Sequence, residues 1–220
     1  MDEKEALRPP PQPSPQGGGS GGVGSPRGRG RAKVGSLQRG SPLIGLATLC
    51  AAIPLLRDLV IRERPGSGPL VAAIGYGALL AACYITMRAT RTSWAEIGIR
   101  MVTARSVVLG ITAGILVVVP VWRLPIISVS GAGWLLVVVG VEEVAFRGVL
   151  FALLRQAGGL PLAIAGSAVA FTVAHAASAG GPSLLLAALS GLYFGLLRAI
   201  RGDLWTSGFA HFLMDLVSLS

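Results

Sequence analysis

Residues 137–150 read VVVGVEEVAFRGVL, so two glutamates and an arginine stand inside a run that is otherwise apolar. The chain of 220 residues is 52% hydrophobic and only 13% charged, with a mean hydropathy of +0.68. A soluble domain usually carries about 25% charged residues, so this chain has too few charges to cover a water-facing surface. The composition therefore predicts that most of the chain lies in a lipid bilayer.

The apolar runs predict an all-α protein, a polytopic membrane helix bundle of about seven transmembrane helices preceded by a disordered tail. A helix needs about 20 mainly apolar residues to cross the hydrocarbon layer. The segment 88–105 is amphipathic, and we expect it to lie at the membrane interface. The predicted spans are Pro42–Leu56, Pro69–Met87, Val107–Trp122, Gly131–Arg155, Leu160–Ala177, Ser183–Ile200 and Leu204–Leu219.

The composition divides the chain into three parts. Residues 1–40 form a basic tail rich in glycine and proline, which has almost nothing to bury and is expected to be disordered. Residues 41–130 hold the first transmembrane helices and the interfacial segment, and residues 131–220 hold the last four spans. The RGRGR stretch of the tail could contact nucleic acid, but a basic tail beside anionic lipid is the simpler interpretation. We therefore expect no nucleic-acid partner.

The basic residues predict an orientation in the membrane. If the tail is cytoplasmic, most of the 19 lysines and arginines fall on the inner side. The positive-inside rule then predicts a cytoplasmic N-terminus and a C-terminus on the opposite side. The high content of glycine, alanine and arginine favours a bacterial source. We therefore expect a multi-pass integral protein of a bacterial cell membrane.

Three charges near the middle of a predicted span need partners, because an ionisable group there costs at least about 2.5–3.5 kcal/mol. Glu143 and Arg147 are four residues apart, so on an α-helix they share a face and can form an ion pair. Glu142 lies about 100° further round such a helix. It is therefore less easily neutralised by the same arginine, and its partner is expected on another helix.

Two later spans supply candidate partners. In AFTVAHAAS, His175 follows Phe171 by four residues, and in GFAHFLMDLV, Asp215 follows His211 by the same spacing. The members of each pair therefore share a helix face. A rise of about 1.5 Å per residue puts Glu142, His175 and His211 all at intermediate depth in the bilayer. The sequence thus predicts that these three side chains line one cavity.

Such a set of side chains suits the activation of a water molecule. A glutamate without an ion-pair partner can act as a general base, one histidine can share the proton, and a second can donate to a developing oxyanion. Glutamate and two histidines could also bind zinc, although no HExxH motif fixes two histidines on one helix. A serine nucleophile is less favoured because no GxSxG motif occurs.

Two other classes of function fit the same polar residues. A non-catalytic membrane scaffold or chaperone could keep the cluster to hold its helices together. A transporter or proton relay could use the intramembrane carboxylates, although the sequence has no evident inverted repeat.

Three motifs in order resemble a known family. Residues 142–147 match EExxxR, residues 171–175 match FxxxH, and residues 211–215 match HxxxN/D. Their order resembles that of the CPBP family of CAAX proteases and bacteriocin-processing enzymes, which are intramembrane endopeptidases with several spans. The resemblance covers residues 131–219. It implies hydrolysis of a peptide bond in a membrane-associated or lipid-modified protein or peptide.

The resemblance also implies roles for individual side chains. Glu142 would activate water together with His175, while His211 and Asp215 would stabilise the oxyanion of the tetrahedral intermediate. Asp215 stands where many family members have asparagine. An ionised aspartate cannot donate to an oxyanion, so Asp215 would have to be protonated or to orient His211 instead.

The remaining motif residues, Glu143 and Arg147, would position the site or the carboxyl end of the substrate. No cofactor is expected, since a glutamate-based mechanism without zinc is the favoured interpretation, and zinc is the alternative. The expected partners are a peptide or protein substrate at the membrane and the lipid bilayer itself.

Overall fold

Every regular element in the described part of the chain is a helix. The computed structural model describes residues 68–118, 129–176 and 181–218, all within one structural unit, Leu37–Ser220. This confirms the predicted all-α class. The elements are α1 (Gly68–Thr90), α2 (Ala104–Val118), α3 (Val129–Glu142), a π-helical segment (Glu143–Leu150), α4 (Phe151–Ala176), α5 (Gly181–Arg201) and α6 (Leu204–Ser218).

The π-helical segment replaces the regular α-helix that the sequence predicted across the EExxxR motif. Within it, the backbone amide of Phe151 donates to the carbonyl of Phe146, five residues earlier. The wider turn changes which carbonyls have helical partners, and side chains can then bind them. Nε of Arg198 on α5 donates to the carbonyl oxygen of Arg147 at 3.0 Å. A neighbouring helix thus stabilises a local geometry that residue spacing alone did not reveal.

A pair of glycines divides α4 into two helical halves. The backbone leaves helical geometry at Gly158 and Gly159, and Gly159 has a φ of 80°, which side chains disfavour. Pro161 stands near the start of the second half, where a proline does not interrupt helical hydrogen bonds. The division falls between the predicted spans Gly131–Arg155 and Leu160–Ala177, as the sequence indicated.

Two described helices are long and apolar enough to cross a membrane, Leu70–Thr90 and Leu184–Arg201. Only 28% and 33% of their most apolar windows are buried inside the protein, so most of each faces outward. Helices α2 and α6 have 15 residues each, fewer than the roughly 20 that a full crossing needs. The tail and the first predicted span, residues 1–40 and Pro42–Leu56, lie outside the described residues. The total of seven spans therefore stays a prediction.

Helix α6 packs very closely against α2. A Cβ atom added at Gly110 would lie 2.7 Å from Cβ of Phe209 and 2.8 Å from the carbonyl oxygen of Thr206. One added at Gly114 would lie 2.9 Å from Cβ of Leu213. Small residues at this spacing let two membrane helices approach through their backbones. The two glycines therefore fix the position of the helix that carries the HxxxD motif.

The first turn of α6 is tied to the neighbouring segments by Asp203. Its Oδ1 accepts a hydrogen bond from the amide of Thr206 at 2.9 Å, which caps the helix N-terminus. Its Oδ2 accepts from the hydroxyl of Ser106 at 3.1 Å. The amide of Leu204 also donates to the carbonyl of Gly98 at 3.0 Å. Both the orientation and the starting point of α6 are thus set by hydrogen bonds.

We predict that Gly110→Ala destabilises the protein by about 1–3 kcal/mol, because the added methyl group meets backbone atoms of α6 that cannot move away. Gly77→Ala is the matched control, since nothing lies within 4 Å of its Cβ position and alanine favours the helix. Thermal unfolding of both variants in the same detergent tests this. Equal melting temperatures for the two would contradict the close packing of α2 and α6.

Candidate active site

The imidazole of His211 lies at the centre of the polar cluster. It is 1% exposed and projects from α6 toward the π-helical segment. Its Nδ1 lies 3.0 Å from Oε1 of Glu143. On the other edge of the ring, Nε2 lies 3.8 Å from Oε2 of Glu142 and 3.4 Å from Oδ2 of Asp215. The first and third motifs therefore meet at one imidazole, with three carboxylates around it.

The two adjacent glutamates have different surroundings. Both oxygens of Glu143 are engaged: Oε1 lies near His211 and 3.5 Å from Nη1 of Arg147, and Oε2 accepts a 2.5 Å hydrogen bond from Ser207. Glu142 instead faces Nε2 of His211, the same edge of the ring that Asp215 faces. Glu143 is thus held from three directions and orients the imidazole.

This arrangement constrains where His211 carries hydrogen. An ionised carboxylate only accepts, so its contact with Glu143 requires a hydrogen on Nδ1. Glu142 and Asp215 face Nε2, and their negative charges stabilise a proton on that nitrogen as well. The cluster can therefore present an N–H donor from Nε2 while the opposite nitrogen is fixed by Glu143.

The charge of Arg147 acts on both glutamates. On a regular α-helix, Glu142 would lie about 100° round the axis from the face that Glu143 and Arg147 share. Within the π-helical segment Arg147 lies 3.5 Å from Glu143, and the charges of Glu142 and Asp215 attract it as well. The ion pair expected between Glu143 and Arg147 is therefore present, and Glu142 faces His211 on another helix, as the spacing indicated.

Aromatic rings surround the guanidinium of Arg147. The side chain is fully buried, and its Nε, Nη1 and Nη2 have no hydrogen-bond partner among the described residues. Its Cζ lies 4.1 Å from the ring centroid of Phe171 and 5.1 Å from that of Phe194. Cation–π attraction in a dry environment contributes about 2 kcal/mol or more. The arginine is held by opposite charges and ring faces rather than by hydrogen bonds.

The second predicted histidine, His175, is half-buried and packs against Phe171. Its Nδ1 lies 2.8 Å from the carbonyl oxygen of Phe171, and the two ring centroids are 4.1 Å apart. The carbonyl only accepts, so Nδ1 carries the hydrogen and Nε2 is the basic nitrogen of the neutral ring. The Phe171 ring also contacts His211, at 5.7 Å between centroids. The ring of Phe171 therefore contacts both histidines.

Sequence reasoning missed two residues of this cluster, Ser207 and Phe194. Ser207 precedes His211 by four residues, so the spacing predicts that both lie on the same face of α6. The ring of Phe194 stacks on His211 with centroids 4.6 Å apart. Phe194 comes from α5 and stands in no pattern with the motifs, so only the packing of helices reveals its role.

An apolar cavity of about 310 Å³ opens beside Glu143, between α3 and α6. Gly140 and Gly208 are part of its wall, and a Cβ atom at Gly140 would meet nothing within 4 Å. Concave apolar sites with a few polar groups commonly bind ligands. The other lining residues are Ile99, Leu136, Val139, Val144, Leu204, Trp205, Phe209 and Phe212.

Across residues 68–118, 129–176 and 181–218, no group of three or more histidine, cysteine, aspartate or glutamate side chains is placed to hold a metal ion. The contacts of His211 fit a hydrogen-bonded cluster, because Glu143 takes one ring nitrogen and two carboxylates face the other. The expected absence of a cofactor and the zinc alternative both stay predictions.

Comparison with known proteins identifies one family. The family model described as type II CAAX prenyl endopeptidase Rce1-like matches residues 124–217, which contain all three motifs. Over these residues the match supports the family that the order of the motifs predicted. No curated protein and no solved structure matches the chain.

We predict that Arg147→Met destabilises the protein by about 3–5 kcal/mol, because it leaves buried carboxylates without their cation. The double variant Arg147→Met with Glu143→Gln should recover part of this loss, since it also removes a negative charge. Arg105→Met is the control. Because Arg105 is exposed, this substitution should lower the free energy of unfolding by no more than about 0.5 kcal/mol. The measurement compares the free energies of unfolding of the unchanged protein and the three variants in the same detergent. A double variant less stable than the single one would argue against charge compensation.

Proposed function

We propose that this chain, which belongs through residues 124–217 to the Rce1-like family of type II CAAX prenyl endopeptidases, is an intramembrane peptidase. Its substrate would be a membrane-associated or lipid-modified protein or peptide, cleaved by an activated water molecule. One observation carries the proposal: His211 is held by Glu143 at one ring nitrogen and faces Glu142 and Asp215 at the other. Such an arrangement supports general base chemistry beside a fixed hydrogen-bond donor.

Glu142 is our candidate for the general base. The carboxylate of Glu143 is occupied by His211, Arg147 and Ser207, so it is poorly suited to accept a further proton. Glu142 is also buried, at 6% exposure, and its Oε2 faces Nε2 of His211. The difference between the two neighbouring acids supports one catalytic and one positioning role.

The proposed reaction follows from these roles. Glu142 takes a proton from water as the water oxygen attacks the carbonyl carbon of the scissile bond. The carbonyl oxygen becomes an oxyanion, which accepts a hydrogen bond from Nε2–H of His211. Glu142 then returns the proton to the leaving nitrogen as the C–N bond breaks. The products are a carboxylic acid and an amine, and the enzyme regains its starting charge.

His175 and Asp215 would assist this chemistry. The basic Nε2 of His175 suits it to share the proton of the water with Glu142. Asp215 lies 3.4 Å from Nε2 of His211 and is 26% exposed, so as an acceptor it would keep the donor proton on that nitrogen. This role needs no protonated aspartate and is the one that we propose for the position where many relatives have asparagine.

The substrate class follows from the surroundings of the site. The apolar cavity between α3 and α6 has Glu143 in its wall, so an apolar group bound there would lie next to the acidic pair. A substrate with an apolar side chain or attached lipid would gain roughly 0.8 kcal/mol for each buried CH₂ group. This supports a lipid-modified or strongly apolar peptide as the substrate.

We predict that Glu142→Gln lowers the rate of peptide cleavage at least about a hundredfold, because glutamine cannot take the proton from water. The assay uses purified full-length protein in liposomes and quenched fluorescent peptides, with and without a prenylated cysteine. Glu63→Gln is the matched control, since the sequence places it in a loop between the first two predicted spans.

The cleavage rates can be compared only if both variants keep the melting temperature of the unchanged protein. Full activity of folded Glu142→Gln would remove Glu142 from the role of general base. Absence of cleavage of every peptide by the unchanged, folded protein would instead favour the non-catalytic scaffold. A faster reaction with the prenylated peptide would extend the proposal to that substrate.

We further predict that a chelator leaves the cleavage rate unchanged, because the proposed base and donor are both side chains. The measurement compares the rate before and after dialysis against a strong zinc chelator, and again after zinc is added back. Loss of activity in the chelator with recovery on added zinc would overturn the metal-free mechanism and support the zinc alternative.

A further inference from the structure

A second cavity, of about 450 Å³, lies at the C-terminal end of α5 and is lined mainly by polar residues. Three arginines contribute to it, and only one acidic residue does. We call it the arginine pocket. Its lining residues are Ala95, Glu96, Arg100, Ala152, Arg155, Gln156, Arg198 and Gly202.

The guanidinium of Arg198 forms the inner wall of the arginine pocket and is rigidly held. The residue is 2% exposed, its Nε donates to the carbonyl of Arg147, and its Nη2 donates to the carbonyl of Glu96 at 2.9 Å. It also lies 5.3 Å from the ring centroid of Phe151. A Cβ atom at Gly98 would lie 2.7 Å from its Cζ, so the loop approaches this closely only because Gly98 has no side chain.

Positive charge accumulates around Arg198. Arg155 and Arg100 both lie near enough to repel its charge, while Asp203 and Glu143 attract it. The carboxylate of Glu96 accepts hydrogen bonds from the backbone amide and hydroxyl of Ser93, at 2.7 and 2.8 Å. Three arginines against one glutamate leave the lining with an excess of positive charge, which an anion would neutralise.

The arginine pocket lies at the level where lipid headgroups are expected. Both candidate spans, Leu70–Thr90 and Leu184–Arg201, end close to it in the chain. The loop that forms one wall exposes apolar side chains on either side of the pocket residues: Trp94 is 53% exposed and Met101 is 89% exposed. Exposed tryptophan beside basic residues is typical of the interface between membrane and water. The apolar side chains would therefore enter the lipid next to the pocket.

From this placement we propose that the arginine pocket binds the phosphate group of an anionic membrane lipid. A guanidinium matches the phosphate oxygens with two parallel hydrogen bonds, and Arg100 and Arg155 are exposed residues that line the pocket. The neighbouring apolar loop favours a phosphate that is carried by a lipid over a free phosphate ion. Because Arg198 also bonds the carbonyl of Arg147, the bound lipid would stabilise the π-helical segment through a single shared side chain.

The test measures lipid retained by the purified full-length protein in native mass spectrometry, after exchange into detergent with phosphatidylglycerol or phosphatidylcholine. The unchanged protein should hold phosphatidylglycerol in preference to phosphatidylcholine. Arg155→Gln and Arg100→Gln should each weaken that binding about tenfold, the loss expected for one charge-assisted contact. Arg155→Lys should recover only part of it, because lysine keeps the charge but not the paired geometry.

Arg105→Gln is the control, since it removes the same charge from an exposed site on α2 that does not line the arginine pocket. It should bind phosphatidylglycerol as the unchanged protein does. If Arg105→Gln weakened phosphatidylglycerol binding as much as the pocket variants do, the lipid would be attracted to basic residues in general. That result would overturn the proposal. Both pocket positions are exposed, so their variants should fold, and unchanged melting temperatures in lipid-free detergent check this.

A third arm distinguishes the lipid from free phosphate. Inorganic phosphate, at the same concentration as the lipid, should displace little phosphatidylglycerol from the arginine pocket. Complete displacement would overturn the assignment to a lipid and identify a soluble phosphate site. Equal binding of phosphatidylcholine and phosphatidylglycerol would overturn the role of anionic charge altogether.

Discussion

The hydrogen bond between Nδ1 of His211 and Glu143 is the constraint on which the rest of the site depends. Both groups are almost completely buried, so neither could stay charged or polar there without the other. The bond holds α6 against the π-helical segment and fixes the orientation of the imidazole. Arg147 and Ser207 complete the partners of Glu143. Glu142 and Asp215 then both face the opposite nitrogen, and this asymmetry gives the cluster its chemical character.

The sequence predicted those features that depend on spacing along one helix. Arg147 does pair with Glu143, Asp215 does share a face with His211, and the break between two predicted spans falls at Gly158 and Gly159. Apolar composition was enough to predict an all-helical membrane protein. These features are local, because the helical repeat of about 3.6 residues and the conformational freedom of glycine both act within a few positions of the chain.

What the sequence could not predict depends on neighbouring helices. The π-helical turn accompanies a hydrogen bond from Arg198, which stands 51 residues after the carbonyl of Arg147. Within this turn Arg147 pairs with Glu143 and its charge also attracts Glu142. Phe194 on α5 stacks on His211, and no pattern in the sequence predicts this contact. The spacing to Arg147 already distinguished Glu143 from Glu142, but the contacts of Glu143 with His211 and Ser207 come from α6 and could not be predicted from it.

The most direct test of the account is the protonation of His211 in the folded protein. The chain has only two histidines, so ¹⁵N-labelled histidine in lipid-embedded protein should give two sets of ring signals, which His175→Asn separates. We predict that Nδ1 of His211 carries a hydrogen-bonded proton and that Glu143→Gln shifts this signal strongly. An Nδ1 signal without a proton, or one that does not change in folded Glu143→Gln, would contradict the central claim.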